Sequence, residues 1–168
     1  LELSLAEEEV ALLYNSVAPV TLIAINAEYS QGVSVACGNR QGGREVMEAL
    51  YRRGHRNFGL LTKSLHEKRS FFHDRADGVK DFHREHPEVR IVEVEMLNDA
   101  EPAAAAAELQ RVAPGVTAVF AFTDVLAVEV LRRFDRTVAV VGYGNSGFCE
   151  LQQPALASMD EQPLLVAD

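Results

Sequence analysis

The chain has 168 residues, of which 48% are hydrophobic and 24% are charged, a composition typical of soluble globular proteins. Its formal net charge is −9, which argues against direct binding to a nucleic-acid backbone, because such binding normally requires a basic face. No apolar run reaches the roughly 18 residues of a membrane span, and no signal peptide is visible, so we expect no membrane partner.

The first third of the chain alternates between helical and strand-like segments. A capping-box pattern, Ser4 with Glu7, indicates the start of a helix over residues 5–14. In chain order there follow strands over residues 19–25 and 32–36, a helix over 42–53, and a strand over 58–61. Gly54 is expected to end that second helix, since glycine readily adopts the conformation that follows a helix C-terminus.

The rest of the chain continues the same alternation. The polar, basic and aromatic segment 62–73 is predicted to be a loop. The later elements, in chain order, are a helix over 75–86, a strand over 90–94, an alanine-rich helix over 103–112, a strand over 116–122, a helix over 124–134, and strands over 137–141 and 157–159. Strands separated by helices of about ten residues are typical of βαβ units, so the sequence predicts a parallel α/β sheet.

The sequence favours packing roles for the cysteines and a solvated helix face for the two paired histidines. Cys37 and Cys149 lie far apart and outside any CxxC pattern, which favours a reducing compartment and therefore a cytoplasmic protein. His83 and His86 stand three residues apart on a predicted helix and could touch a metal, but a solvated helix face is the preferred interpretation. We predict no metal site and no cofactor.

Small polar residues follow two apolar runs of the predicted sheet. Thr123 and Asp124 follow one run, and Gly144 and Asn145 follow the next. Because the carboxyl ends of adjacent parallel strands border one crevice in which ligands bind, we expect these four residues to face the same small molecule. The pattern favours a sensor of a small polar metabolite over a catalyst.

A set of short motifs then connects the chain to a known family. In chain order the motifs are Gly38-Asn39-Arg40-Gln41-Gly42-Gly43, Gly54-His55-Arg56 before an apolar strand, Arg75-Ala76-Asp77-Gly78-Val79, Phe122-Thr123-Asp124, Val140-Val141-Gly142-Tyr143-Gly144-Asn145, and Pro154-Ala155-Leu156-Ala157-Ser158-Met159-Asp160-Glu161-Gln162-Pro163. In this order and spacing they resemble the effector-binding core of the LacI/GalR family of bacterial transcription regulators, over roughly residues 10–165.

The resemblance implies a fold class and a division of the chain. The fold would be α/β, with the parallel-sheet lobes of type I periplasmic-binding-protein-like domains, part of the N-terminal lobe being missing. We expect residues 1–62 to form a partial N-terminal lobe, residues 63–160 the C-terminal lobe, and residues 161–168 the crossover back toward the N-terminal lobe.

The resemblance also implies effector-binding residues. Arg75 is the first candidate, because its planar guanidinium can donate two hydrogen bonds to sugar hydroxyls or to a carboxylate. The alternative is a surface ion pair of Arg75 with Asp74 or Asp77. Arg69 matches a second effector-binding arginine of purine-sensing members, or is an exposed loop residue. Phe71 offers a stacking face for a ligand, or packs at the lobe boundary.

The chain departs from the family pattern at the two strand ends. Thr123 stands where many members have a ligand-contacting Asn or Asp, and Asp124 is expected either to cap the next helix or to contact the ligand. Gly144 replaces the first acid of the usual Asp-Asp or Asp-Asn pair, which commonly binds a ligand hydroxyl or ring nitrogen. Either Asn145 substitutes for that acid, or the ligand is bulkier, less hydroxylated or anionic.

The leading functional hypothesis is the ligand-sensing domain of a LacI/GalR-type transcription regulator, with no catalytic residues. By resemblance, such a domain binds a sugar, nucleoside or related metabolite between two lobes and alters the DNA binding of a homodimer. Operator DNA would be contacted only through a headpiece absent from this chain. The alternatives are a solute-binding protein of a transporter and, less favoured, a small doubly wound enzyme, for which no GxGxxG, P-loop or GxSxG motif is present.

Overall fold

The computed structural model describes residues 7–16, 23–25, 33–35, 37–63, 71–96 and 102–161. The chain divides into two compact units, the first made of residues 1–37 and 162–168 and the second of residues 38–161. In the first unit, helix α1 (Glu7–Ser16) is followed by strands β1 (Ile23–Ile25) and β2 (Val33–Val35). These two strands pair in parallel, with Ile23 opposite Val33.

The second unit is built around a five-stranded parallel sheet with the strand order β4-β3-β5-β6-β7. Its elements, in chain order, are α2 (Asn39–Arg52), β3 (Asn57–Lys63), α3 (Phe71–Glu85), β4 (Arg90–Met96), α4 (Pro102–Val112), β5 (Ala118–Ala121), α5 (Asp124–Arg133), β6 (Ala139–Tyr143) and β7 (Ala157–Met159). The predicted α/β class with a parallel sheet is confirmed. Within the described ranges, no helix combines the length and apolar character needed to cross a bilayer.

Helices cover both faces of this sheet. Along β5, Ala118 and Phe120 face a core that also contains Val46 of α2 and Phe82 of α3. Val119 and Ala121, which alternate with them along β5, face a second core with Leu109 of α4 and side chains of α5. All four residues of β5 are buried, because side chains alternate between two covered faces. The unit is therefore a three-layer α/β/α domain.

The strand order creates a switch point between β3 and β5. From β3 the chain passes through α3 to β4 on one side, and then through α4 back across β3 to β5. The next strands, β6 and β7, continue in the opposite direction from β4. In such sheets, ligands bind outside the carboxyl ends of the strands at the point where the order reverses.

The boundary of this unit differs from the one expected from the sequence. The sequence places residues 1–62 in the first lobe, whereas α2 and β3 pack within the unit of residues 38–161. The reason is that β3 lies between β4 and β5 in the sheet. In addition, α2 buries Val46, Met47 and Leu50 in the core of that unit.

One helix boundary also differs. The sequence predicts a loop through residue 73, but α3 begins at Phe71. Its first turn carries Phe71 and Phe72, whose rings pack against each other with centroids 4.2 Å apart. This difference places Phe71 on a helix beside the carboxyl end of the sheet.

Candidate functional site

Arg75 lies in the second turn of α3 and is 1% exposed. Its Nε donates a hydrogen bond to Asn39 Oδ1 over 2.9 Å, and its Nη1 donates to the Phe122 carbonyl oxygen over 2.5 Å. Its Nη2 donates to Glu161 Oε1, which completes an ion pair. The surface ion pair with Asp74 or Asp77, considered as an alternative from the sequence, is therefore not how Arg75 is held.

These partners come from separate parts of the sequence. Asn39 begins α2, Phe122 directly follows β5, and Glu161 follows β7 by two residues. Arg75 therefore joins four segments of the chain at the switch point between β3 and β5. This is the place where the topology predicts a ligand site.

Aromatic rings surround the Arg75 guanidinium. The Tyr143 ring at the end of β6 lies 3.6 Å from Cζ, measured to the ring centroid, and the Phe71 and Phe72 rings lie at 4.7 and 5.4 Å. Such cation–π contacts stabilise a desolvated cation. Burial lowers the pKa of Arg75, whereas the neighbouring Glu161 and Tyr143 raise it. The guanidinium stays charged at neutral pH, because arginine is not deprotonated in proteins.

Thr123 and Asp124 have different roles at the start of α5. The Thr123 side chain caps the helix by accepting a hydrogen bond from the Leu126 amide over 3.3 Å. The expectation that Asp124 caps this helix is therefore wrong, because Asp124 is already its first helical residue. Thr123 itself is half-buried, directly after the Phe122 carbonyl that accepts from Arg75.

The Asp124 carboxylate holds the loop between β6 and β7. Asp124 is 2% exposed, and its Oδ2 accepts hydrogen bonds from the Ser146 amide, over 2.8 Å, and from the Ser146 hydroxyl. Its Oδ1 accepts from the Ser158 hydroxyl over 2.5 Å. A Cβ added to Gly142 would overlap Asp124 Oδ1, so glycine is needed there to let the carboxylate approach β6.

The charge of Asp124 affects the neighbouring thiol. Burial opposes ionisation of Asp124, but hydrogen bonds from Ser146, Ser158 and Cys149 outweigh burial and lower its pKa. Burial and the Asp124 carboxylate raise the pKa of Cys149 to about 11. Cys149 is therefore a buried thiol at neutral pH, in agreement with the packing role expected from the sequence.

We expect Asp124→Asn to lower the free energy of unfolding at pH 7 by about 2 kcal/mol, since hydrogen bonds to charged groups contribute about 1.5–3 kcal/mol each. The folded-state pKa of Asp124 lies below its unfolded value of about 3.9, so the contribution is complete above that pH and is lost as pH falls through the folded-state pKa. Urea unfolding at several pH values should therefore show that the stability difference between wild type and Asp124→Asn shrinks as pH falls through the folded-state pKa.

A matched control for Asp124→Asn is Glu150→Gln, which removes one negative charge from the same loop at an exposed position. We expect it to change the free energy of unfolding by less than about 0.5 kcal/mol. A difference between wild type and Asp124→Asn that stays constant down to low pH would contradict the assigned role of the carboxylate.

Gly144 and Asn145 follow β6 with left-handed backbone conformations, at φ angles of 120° and 49°. The Gly144 amide donates to the Met159 carbonyl oxygen over 2.9 Å, and the Asn145 amide donates to Ser158 Oγ over 2.9 Å. Asn145 Nδ2 donates to Asp160 Oδ2 over 3.3 Å at an exposed position. The φ angle of Gly144 lies in the region that favours glycine.

The structure brings most of the sequence-predicted residues to one edge of the sheet. Phe71 lies against Arg75, and Thr123, Asp124, Gly144 and Asn145 follow β5 and β6. Arg69 lies outside the described residues. In the described part of the chain, no group of three or more His, Cys, Asp or Glu side chains is placed to hold a metal ion.

Sequence reasoning missed three side chains that contact Arg75, namely Asn39, Tyr143 and Glu161. Asn39 stands inside a family-like motif, so that its polar side chain at a helix start was an available signal. Glu161 is 86 residues from Arg75 and stands in the family-like run of residues 154–163, but nothing in that run indicates a contact with Arg75. Its position depends on the pairing of β7 with β6, which only the folded sheet reveals.

Doubly wound α/β sheets bind ligands at their switch point, which is where Arg75 lies in this sheet. The chain belongs to the family of periplasmic binding protein-like domains, whose model matches residues 47–168. Among curated protein sequences, none matches the chain significantly.

Solved structures share this fold. A LacI family transcriptional regulator from Silicibacter pomeroyi is 20% identical with a TM-score of 0.76, over 96% of this chain and 63% of that chain. A periplasmic binding protein/LacI transcriptional regulator from Alkaliphilus metalliredigens QYMF, complexed with D-xylulofuranose, is 17% identical with a TM-score of 0.72, over 88% and 58%. A LacI family transcriptional regulator from Lactobacillus casei with bound glucose is 21% identical with a TM-score of 0.69, over 81% and 56%.

This chain therefore spans less than two thirds of the length of these three structures. The similarity confirms the expected family resemblance and the periplasmic-binding-protein-like fold.

Proposed function

We propose that this chain is the ligand-sensing part of a LacI-type transcription regulator and binds a small polar metabolite at the carboxyl edge of its five-stranded sheet. The main support is Arg75, a buried guanidinium at the switch point of the sheet. Two structures of the same fold hold sugars, D-xylulofuranose in one and glucose in the other. We assign the protein to the cytoplasm and to no enzymatic reaction.

Each candidate residue contributes a different contact in this proposal. The planar guanidinium of Arg75 supplies N–H donors, and the Phe71 ring supplies an aromatic face. Thr123 and Asn145 offer a hydroxyl and an amide at the same edge. Arg69 remains a proposed contact from the resemblance.

Asp124 and Gly144 determine the backbone arrangement at the sheet edge where these proposed ligand contacts lie. Asp124 Oδ2 accepts from Ser146 in the loop after β6 and Oδ1 accepts from Ser158 of β7, so we propose a positioning role for Asp124. Gly144 contributes its backbone conformation to the same loop.

The regulatory step follows from linkage between the ligand and two states of the protein. A ligand shifts a conformational equilibrium only by as much as its affinities for the two states differ. Arg75 joins segments that begin α2 and follow β5 and β7, so ligand contact at Arg75 acts on several elements together. We propose that the ligand thereby alters DNA binding of a homodimer, and that DNA is contacted by a segment outside this acidic chain.

The proposal predicts that a screen of sugars, nucleosides and organic acids by thermal unfolding will find a stabilising ligand. A ligand at a hundred times its Kd adds about 2.7 kcal/mol of stability. This stabilisation should be lost in Arg75→Ala, and also in Arg75→Lys, which keeps the charge but not the fork.

Arg84→Ala is the control for this experiment, because Arg84 lies on the same helix and pairs with Asp81 at the surface. It should keep the full ligand-induced shift. An undiminished shift in both Arg75 variants would contradict the assigned site, and turnover of the ligand by the purified chain would contradict the non-enzymatic role.

A further inference from the structure

The surroundings of Arg75 bear on the chemical class of the ligand, and this inference rests on the function proposed above. The Tyr143 ring covers the Arg75 guanidinium. The N–H groups of Arg75 donate hydrogen bonds to Asn39, Phe122 and Glu161. Asn39 and Phe122 are 2% and 0% exposed, whereas the Glu161 side chain is 25% exposed. Of these three acceptors, Glu161 is the one that solvent reaches, so a ligand group that takes over a hydrogen bond of Arg75 would replace Glu161.

Charge decides which ligands can make this exchange. The Arg75 side chain is 2% exposed, so that replacing Glu161 by a neutral group would leave a buried cation without its counter-charge. Leaving one member of a buried ion pair uncompensated is strongly destabilising. A ligand carboxylate would restore the negative charge and the two-oxygen geometry that a guanidinium binds in a bidentate manner.

The rest of this edge is compatible with an anion. Gly144 has no side chain, and its φ angle of 120° favours glycine. The Asp124 carboxylate, which lies closest to a Cβ built on Gly144, already accepts hydrogen bonds from Ser146 and Ser158. The negative charge of Asp124 is thus stabilised by hydrogen bonds from Ser146 and Ser158.

We propose that the ligand of this site carries a carboxylate group, which replaces the Glu161 carboxylate on Arg75. Glu161 acts as an internal substitute for the ligand in the free protein. It is also the last residue of the unit of residues 38–161.

A rescue experiment tests this exchange with acetate as the probe. Glu161→Ala removes the internal carboxylate, and thermal unfolding is measured in sodium acetate and in sodium chloride at matched ionic strength. We expect acetate to raise the Tm of Glu161→Ala by about 3 °C over chloride, and that of wild type by less than about 1 °C. Glu85→Ala, which removes one of the two carboxylate partners of the partly exposed Arg44, is the control and should respond like wild type.

Equal Tm values of Glu161→Ala in acetate and chloride would overturn the proposal. Failure of the proposed function is a separate result, since it would appear as the absence of any ligand in the metabolite screen, whether or not acetate rescues the variant.

Matched pairs of compounds test the ligand class by calorimetry. The pairs are D-gluconate with D-glucose, D-galacturonate with D-galactose, and orotate with uracil. We expect at least one acid to bind about tenfold more tightly than its neutral partner, and Glu161→Gln to strengthen the binding of that acid about tenfold further by removing the competing charge. Arg75-dependent binding of the neutral members without the acids would overturn the carboxylate assignment and leave the proposed function intact.

Discussion

Gly78→Ala is expected to lower the free energy of unfolding by about 3 kcal/mol, at the upper end of the cost of inserting an atom into a packed interface. Gly78 lies where α3 crosses α2, and an added Cβ would overlap the carbonyl oxygen of Arg40 and lie 2.9 Å from the Arg44 amide nitrogen. Both obstacles are backbone atoms, so the two helices would have to move apart. This cost exceeds the roughly 1 kcal/mol that alanine gains over glycine within a helix.

Chemical denaturation of Gly78→Ala beside Gly115→Ala tests this prediction. A Cβ on Gly115 meets nothing within 4 Å, so the control should change the free energy of unfolding by less than about 1 kcal/mol. Gly78→Ala with wild-type stability would show that α2 and α3 are not in close backbone contact. The contact matters for the site, because α2 carries Asn39 and α3 carries Arg75.

The second large effect is expected at the buried guanidinium. Arg75→Met keeps much of the side-chain volume but leaves Asn39 Oδ1 and the Phe122 carbonyl oxygen without their donor. Breaking a buried ion pair by removing one partner costs about 3–5 kcal/mol. Because Glu161 can turn toward solvent, we expect a loss near the lower limit, about 3 kcal/mol.

Urea unfolding of Arg75→Met beside Arg84→Met provides the measurement. The Arg84 side chain is 73% exposed, and surface ion pairs contribute about 0–1 kcal/mol, so the control should stay close to wild type. If both variants lost the same stability, Arg75 would not be the buried link between α2, β5 and the segment after β7.

The sequence predicted the parallel sheet because its signals are local. Apolar runs such as residues 116–122 mark strands that are covered on both faces, and Gly54 and Pro102 mark helix ends. The start of α3 was not predicted, because the polar and aromatic composition before Arg75 favours a loop, whereas Phe71 and Phe72 pack near the Arg75 guanidinium one turn further along the same helix. The unit boundary expected from the resemblance also differs from the structure, because the local pattern of residues 57–63 does not reveal that β3 lies between β4 and β5.

The candidate site was predictable where a motif carries it. Arg75 stands in a family-like motif, and Thr123 and Gly144 follow strand-like runs. The Asp124 carboxylate, by contrast, accepts hydrogen bonds from Ser146 and Ser158, which lie 22 and 34 positions away. Whether its oxygens receive these hydrogen bonds depends on how β6 and β7 pack beside α5. The ion pair of Glu161 with Arg75 also depends on the folded sheet, so the sequence does not reveal it.

The central claim is that a ligand binds at Arg75, and the most direct test is NMR observation of the Arg75 Nε–H group. This N–H is buried and bonded to Asn39 Oδ1 over 2.9 Å, and its signal can be identified by its absence in Arg75→Lys. We predict that saturation with the metabolite that most raises the Tm shifts this signal clearly while the signal of the exposed Arg84 stays in place. An Arg75 signal that does not move at saturation would contradict the account.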